Sequence, residues 1–277
     1  MTSTNGTRVF ITGGASGLGR AMAEHWAGRG ARACSADVHE GRGAETLAVL
    51  QGTAADADFL RCDVTRDEDL RAARERLVER WGGVDVVVNN AGVALAGGID
   101  EITLDDWRWI VDINLLGVVR GCREFTPLFK KQHSGHFVNV ASMAGLLDVP
   151  LRSGSNATKA AVVSLSETLQ NELEEHGIGV TVVCPSFFQT NLHETMRSKT
   201  PELVEVTKSL LKRSSITAAD VARLTVEAVE AKRFYVLPHL EGRAAWRMKR
   251  HLPRAVYRGI IGKQFGRMQR AAAAAKR

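Results

Sequence analysis

Up to about residue 237 the chain alternates short runs of β-branched and apolar residues with longer amphipathic stretches. The apolar runs read as seven strands: "RVFIT", "ARACSAD", "DFLRCDV", "VDVVVNN", "GHFVNVAS", "GVTVVCP" and "RFYVLP". Segments such as "GLGRAMAEHWAGRG" and "DEDLRAARERLVERWG" lie between them. In the latter, Leu70, Ala73, Leu77 and Trp81 recur at three- and four-residue steps with charges opposite, which predicts a helix burying that face. Strands apolar almost throughout, separated by amphipathic helices, predict a parallel sheet covered on both faces. The expected fold is α/β, a doubly wound Rossmann-type sheet of about seven parallel strands with helices on both faces and ligands at the strands' carboxyl ends. One domain is expected over residues 1–239. Its segment at about 190–213, between the sixth and seventh strands, has no strand of its own and reads as a mobile helical lid.

With 44% hydrophobic and 25% charged residues the chain falls in the ordinary globular range, and it has no run of about eighteen apolar residues that would span a membrane. The opening "MTSTNGTRVF" contains no apolar h-region, so no signal peptide is expected. Cys34, Cys62, Cys122 and Cys184 are far apart and form no C-x-x-C pair. They read as reduced thiols of a cytoplasmic protein, with no metal site.

The net charge of +6 is unevenly placed: from Lys232 onward 13 Lys and Arg face the single acid Glu241, a balance of +12, so residues 1–231 carry −6. Residues 240–277 thus form a basic extension. After Pro253, Val256, Tyr257, Ile260, Ile261, Phe265 and Met268 recur at helical spacing among basic residues, which predicts a basic amphipathic helix. Such a helix can lie on an anionic membrane surface. Gly259, Gly262 and Gly266 weaken an isolated helix, so packing on the parent domain or a sister subunit is favoured over membrane contact. Nucleic acid is not expected as a partner, because the tail has no recognition motif and the domain itself is acidic.

After the first strand comes "TGGASGLGRAMAEHW". Gly13, Gly17 and Gly19 allow a tight turn and close approach of a pyrophosphate to the N-terminus of the following helix. Asp37 ends the second strand about twenty residues on, which completes a dinucleotide fingerprint. Its carboxylate can accept from both adenosine ribose hydroxyls and would repel a 2′-phosphate, and "VHEG" after it supplies no compensating arginine. NAD is expected rather than NADP.

Over about residues 7–237 the sequence resembles the short-chain dehydrogenase/reductase family. The matching pieces are "TGGASGLG" (12–19), "CDV" (62–64), "NNAG" (89–92), "DINLLG" (112–117), "VNVASMAG" (138–145), the lysine of "NATKAA" (156–161) and "CPSFFQT" (184–190). The resemblance implies that Ser16 and Leu18 join the glycines in the phosphate loop. Asp63 and Val64 would hold the adenine, and Asn90, Ala91 and Gly92 would line the cleft. Pro185 and Thr190 would border the nicotinamide, with Thr190 on its carboxamide. It further implies that Asn114 binds a water of a proton relay, that Ser142 hydrogen-bonds the substrate oxygen, and that Lys159 binds the nicotinamide ribose and lowers the pKa of the catalytic hydroxyl. Dimers or tetramers through the helices around 105–130 and 155–175 are also implied, and Ala161, Leu165 and Leu169 fit either that or core packing.

Two departures stand out. Pro185 is followed by Ser186 where the family has glycine, and Ser155 occupies the place of the catalytic tyrosine, four residues before Lys159. A phenol's pKa near 10 can be drawn toward neutrality by an adjacent ammonium, whereas an aliphatic hydroxyl is less acidic and shorter. The only tyrosines, Tyr235 and Tyr257, lie elsewhere in the pattern. Ser155 therefore reads as an engineered substitution, as a natural change in a non-catalytic NAD-binding sensor or scaffold, or as part of a slow enzyme in which a water takes the phenol's place. The retained Asn114, Ser142 and Lys159 favour the first. Phe187, Phe188, Leu192, Met196, Leu203 and Leu210, opposite Leu146, Leu147 and Val149, predict an apolar pocket. A hydrophobic secondary alcohol or ketone is the expected substrate.

Overall fold

The computed structural model describes residues 6–260 and 262. Seven strands form one sheet in the order β3-β2-β1-β4-β5-β6-β7, and every neighbouring pair is parallel. They are β1 (Arg8–Thr12), β2 (Arg32–Asp37), β3 (Asp56–Arg61), β4 (Val86–Asn89), β5 (Gly135–Val140), β6 (Ile178–Val183) and β7 (Tyr235–Val236). The chain winds outward from β1 to β3 and then returns to place β4 beside β1. This leaves a crevice at their carboxyl ends, where doubly wound sheets bind ligands.

The helices are α1 (Gly17–Ala27), α2 (Glu40–Gln51), α3 (Asp67–Trp81), α4 (Leu104–Val111), α5 (Gly117–Gln132), α6 (Ala144–Leu147), α7 (Ser153–Leu173), α8 (Pro201–Arg213), α9 (Ala218–Glu230) and α10 (Leu240–His251). Alternation along β1 shows how they cover the sheet. Phe10 points to one layer, stacked on Phe125 of α5 at 5.2 Å and joined there by Leu70, Ala73, Leu77 and Trp81 of α3. Val9 and Ile11 point to the other, with Met22 and Trp26 of α1 and Val221 and Val226 of α9. The α3 stripe is buried as its periodicity predicts.

β3 begins and ends earlier than its apolar run, so Cys62–Val64 lie in the following loop. Asp63 is the physical reason: its Oδ1 accepts from the Thr65 backbone N–H at 2.9 Å and the Thr65 hydroxyl at 2.7 Å, closing a turn that ends the strand.

Leu165 and Leu169 pack against the chain's own core, as do Leu146 and Leu147, while Phe188 is buried in the layer under α1 and α9. Leu146 and Phe188 are thus packed mainly against the core. Between β6 and β7, α8 buries Leu203, Thr207 and Leu211, and Leu203 clusters with Ala96, Leu151 and Met196.

The basic extension begins by packing on the domain. A Cβ on Gly242 of α10 would come within 3.1 Å of Met143. Trp246 lies 5.2 Å from Tyr235, and Lys249 donates to the Leu146 carbonyl at 2.8 Å while pairing with Asp148 at 2.5 Å. Residues 254–260 are helical again, with Val256 and Ile260 about half exposed. Ile261, Phe265 and Met268 lie outside the described residues. All four cysteines are buried free thiols. Among the described residues no helix is long and apolar enough to cross a membrane, and no cluster of three metal-ligating side chains occurs.

Candidate active site

The glycine loop is held by geometry that larger residues would break. Gly13 and Gly17 have φ of +63° and +54°, in the left-handed region where glycine carries little strain. A Cβ on Gly19 would meet Asn90 Nδ2 at 2.6 Å and run into the Gly13 carbonyl oxygen. Ser16 caps α1 with extended backbone and makes no side-chain cap bond, while Leu18 is buried beneath the loop. The first-turn N–H groups of α1 are thus left without a side-chain cap from Ser16.

Asp37 is buried at the end of β2. One carboxylate oxygen accepts from the Ala15 N–H and the other from the His39 N–H, both at 3.1 Å. These bonds tie it to the glycine loop and leave each oxygen a further lone pair. Arg42, one turn into α2, pairs with Glu194 at 2.7 Å. Asp63 and Val64 lie at the next strand end, where the Val64 carbonyl accepts from Arg120 at 3.1 Å.

The floor of the crevice is a mesh that links β1 to β4. Asn90 Nδ2 donates to the carbonyls of Thr12 and Gly13, each at 3.0 Å. The N–H groups of Asn90 and Ala91 both donate to Thr12 Oγ1, at 3.1 and 3.2 Å. Thr12 is a positioning residue that the motif reading missed, because its role depends on a neighbour 78 positions away.

Asn114 lies in a π-helical segment, Asp112–Leu116, between α4 and α5. The wide turn is a frequent companion of functional sites. It turns the fully buried Asn114 onto the loop after β4, with Oδ1 accepting from the Val93 N–H at 2.8 Å and Nδ2 donating to the Val93 carbonyl at 2.9 Å. The bare backbone of Gly92 lets Asn114 and Lys159 converge, since a Cβ there would sit 3.2 Å from Asn114 Oδ1 and 3.5 Å from Lys159 Nζ. Lys159 Nζ donates to the Val140 carbonyl at 2.7 Å, two residues before Ser142. Burial of the ammonium pushes its pKa down to about 8. Ser142 Oγ donates to the Pro185 carbonyl at 3.3 Å and accepts from the Ala144 N–H at 3.1 Å. Thr190 arrives from the other side: a Cβ on Gly17 would lie 3.6 Å from it.

Ser155 stands one helical turn before Lys159 and is occupied elsewhere. Its Oγ accepts from the Leu95 N–H at 3.3 Å and donates to the Leu95 carbonyl at 3.2 Å. The hydroxyl therefore clamps the loop after β4. That loop is held at two more points, by the Gly97 N–H on the Leu151 carbonyl at 2.9 Å and by the Ala96 N–H on the Arg197 carbonyl at 3.1 Å. Neither tyrosine hydrogen-bonds Lys159 or Ser142. Tyr235 Oη donates to Glu167 at 2.5 Å, and Tyr257 Oη is buried without a hydrogen-bond partner and makes no bond to Lys159 or Ser142.

At the second departure the backbone makes the contact, and nothing in the structure explains the serine side chain. The Ser186 N–H donates to His239 Nδ1 at 3.1 Å, and the other ring nitrogen meets the Phe187 carbonyl at 3.2 Å. With Nδ1 accepting, Nε2 carries the proton and donates. Burial lowers the His239 pKa, which keeps the ring in this neutral form. His239 thereby holds the loop after β6, a role the sequence pattern did not signal.

A glycine-rich cradle, an acid at the end of β2 and a Lys–Asn–Ser group thus lie at the carboxyl ends of the strands. The family model for short chain dehydrogenase matches residues 7–201. The chain is 31% identical over 251 residues to the CLA biosynthesis dehydrogenase/reductase of Lactiplantibacillus plantarum, covering 84% of this chain and 88% of that protein. It is 32% identical over 247 residues to a C alpha-dehydrogenase of Sphingobium, covering 85% and 81%. Among solved structures it is similar to a short chain dehydrogenase/reductase from Burkholderia phymatum in complex with NAD, at 35% identity and a TM-score of 0.85 over 90% of this chain and 94% of that one. By fold, site and kinship together, the chain belongs to the short-chain dehydrogenase family of oxidoreductases.

Proposed function

We propose that this oxidoreductase uses NAD to interconvert a hydrophobic secondary alcohol and a ketone, with proton transfer slowed by Ser155. The observation that carries the reading is the pair of hydrogen bonds from Ser155 to Leu95, which removes the one hydroxyl at the tyrosine position from the proton path. NAD supplies the hydride acceptor for the alcohol, and NADH the donor for the ketone. Gly13, Ser16, Gly17, Leu18 and Gly19 would hold the pyrophosphate, Asp37 the ribose hydroxyls, Asp63 and Val64 the adenine, and Pro185 and Thr190 the nicotinamide end.

Ser142 Oγ would orient the substrate oxygen. Asn114 fixes the loop that borders it and supports the proton path. Lys159 is left as the titratable group beside the reacting oxygen, and its pKa of about 8 lies where general acid–base catalysis is efficient. The hydroxyl proton released in oxidation would pass to neutral Lys159 Nζ and then to solvent, and the ammonium would return it in reduction. The identity of the substrate as an apolar molecule is supported by Ala96, Leu151, Met196 and Leu203, which cluster apart from the two core layers.

Calorimetric titration tests the cofactor assignment. NAD(H) should bind at least tenfold tighter than NADP(H), a difference of about 1.4 kcal/mol, and equal affinities would refute the role given to Asp37. Single-turnover hydride transfer with a panel of apolar alcohols tests the rest. Tight NAD binding with no transfer from any alcohol would make the chain a non-catalytic NAD-binding protein instead.

A further inference from the structure

Arg152 immediately precedes α7, and its backbone bridges to Gly97 of the loop after β4. Its side chain reaches Thr207 of α8 on one side and the Phe187 ring of the loop after β6 on the other. The residue is only 8% exposed. Among the described residues its guanidinium makes one hydrogen bond, to Thr207 Oγ1 of α8, and no ion pair. The Phe187 ring lies 5.5 Å from the guanidinium carbon. Thr207 is itself neutral, and its hydroxyl proton is given to the Leu203 carbonyl at 2.6 Å.

A guanidinium has five N–H donors and cannot shed its charge at working pH. Withdrawing it from water costs several kcal/mol unless an opposite charge compensates. One hydroxyl and one aromatic face offset part of that cost. Burial pushes the Arg152 pKa down to about 10, with no carboxylate acting against the shift. The N-terminus of the 21-residue α7 adds its positive end to the same place. One residue on, Ser153 Oγ is buried without a partner. Leu151 precedes Arg152 in the chain and packs against Leu203, one turn of α8 before Thr207, while the Glu101 carboxylate near Gly97 accepts from Thr200 and makes no ion pair with Arg152.

We propose that Arg152 is the anchor for a carboxylate at the far end of the substrate, so that the natural substrate is an amphipathic hydroxy acid or keto acid. This deepens the function proposed above and rests on it for the position of the reacting carbon. The remaining N–H donors match the two oxygens of a carboxylate in a fork. The aliphatic or aromatic body lies along Leu151, Met196 and Leu203. Seven helical positions separate Arg152 from Lys159, about 10 Å along the axis, which leaves room for a body of several carbons between carboxylate and carbonyl. Arg152 is a specificity-determining residue and takes no part in proton or hydride transfer.

The test uses the full chain and three homologous probes, 5-oxohexanoate, 7-oxooctanoate and 9-oxodecanoate, each with its methyl ester. Binding is measured by calorimetry with and without NADH, in the wild type, Arg152→Met and Arg152→Lys. At least one acid should bind the wild type tenfold or more tightly than its ester. The preference should vanish in Arg152→Met and survive in part in Arg152→Lys. NADH affinity should be unchanged in both. The melting temperature of the unliganded Arg152→Met protein should be equal to or above that of the wild type, because an uncompensated charge has been removed. If Arg152 is only structural, Arg152→Met melts lower and acid and ester bind the wild type alike. Failure of all three acids to bind the wild type, or an acid preference that persists in Arg152→Met, also overturns the proposal. A wild type that prefers acids but binds no NADH would instead defeat the proposed function and leave the role of Arg152 standing.

Discussion

The two sides of the crevice are built by different physics. On the cofactor side, two side chains lock the backbone: Asn90 Nδ2 and Thr12 Oγ1 tie the ends of β1 and β4 to the glycine loop at 3.0–3.2 Å, and Gly19 has no room for a methyl group. On the substrate side the same crevice is walled by a loop after β4 that two segments hold, one through Leu151 and Ser155 and the other through Arg197. The first arrangement admits one chemistry and few substitutions. The second permits residue changes that leave the fold in place, and both Ser155 and the buried charge of Arg152 lie in it.

Gly19→Ala strikes the rigid side and should have the largest effect on binding. The new Cβ must displace the Gly13 carbonyl or Asn90, so NADH affinity should fall by roughly a hundredfold or more. Calorimetry would read this, and affinity within threefold of the wild type would show that the loop yields more easily than its contacts imply.

The pH dependence probes the other side. The Lys159 pKa is lowered by burial to about 8, so the ammonium predominates below that pH and the neutral amine above it. Alcohol oxidation, which needs the neutral base, should rise about tenfold per pH unit up to about 8 and then level. Ketone reduction, which needs the acid, should be level below about 8 and fall above it. Single-turnover rates across pH 6–10 would show this, and rates indifferent to pH would remove Lys159 from the proton path.

Ser155→Ala should have the smallest effect. It leaves the Leu95 N–H and carbonyl without their partner, at a cost of about 2 kcal/mol. The melting temperature should drop by about 4–8 °C while NADH affinity stays unchanged, as differential scanning calorimetry and titration would record. An unaltered melting temperature would mean that the clamp contributes nothing.

Much of the cofactor side was legible in the sequence because its determinants are local. Gly13, Gly17 and Gly19 fall within one turn of chain, and Asp37 ends a strand whose limits the apolar pattern marks to within a residue. The strand before Cys62 was harder, since a side-chain turn at Asp63 ends it where hydrophobicity continues. The substrate side was less legible because its contacts span long separations. Ser155 meets Leu95 across 60 positions and Arg152 meets Thr207 across 55. In the sequence Arg152 is one more arginine in a polar stretch, and its burial arises only when α8 folds over it. The π-helical turn at Asn114 leaves no periodic trace in five residues. The packing of Leu146 and Phe188 against the core likewise depends on which layer each loop folds into.

The central claim is that the chain binds its cofactor in full while Ser155 limits the chemistry. The most direct measurement is the single-turnover rate of hydride transfer in the wild type and in Ser155→Tyr, at saturating NAD and an alcohol that both bind. NAD affinity should agree between the two within about threefold, because the contacts of the glycine loop and Asp37 are untouched. The hydride-transfer rate should rise in Ser155→Tyr by about 10²–10⁴-fold, the contribution of a positioned general acid–base group. An unchanged rate, with cofactor and alcohol bound, would show that the serine belongs to a different mechanism and would contradict the account.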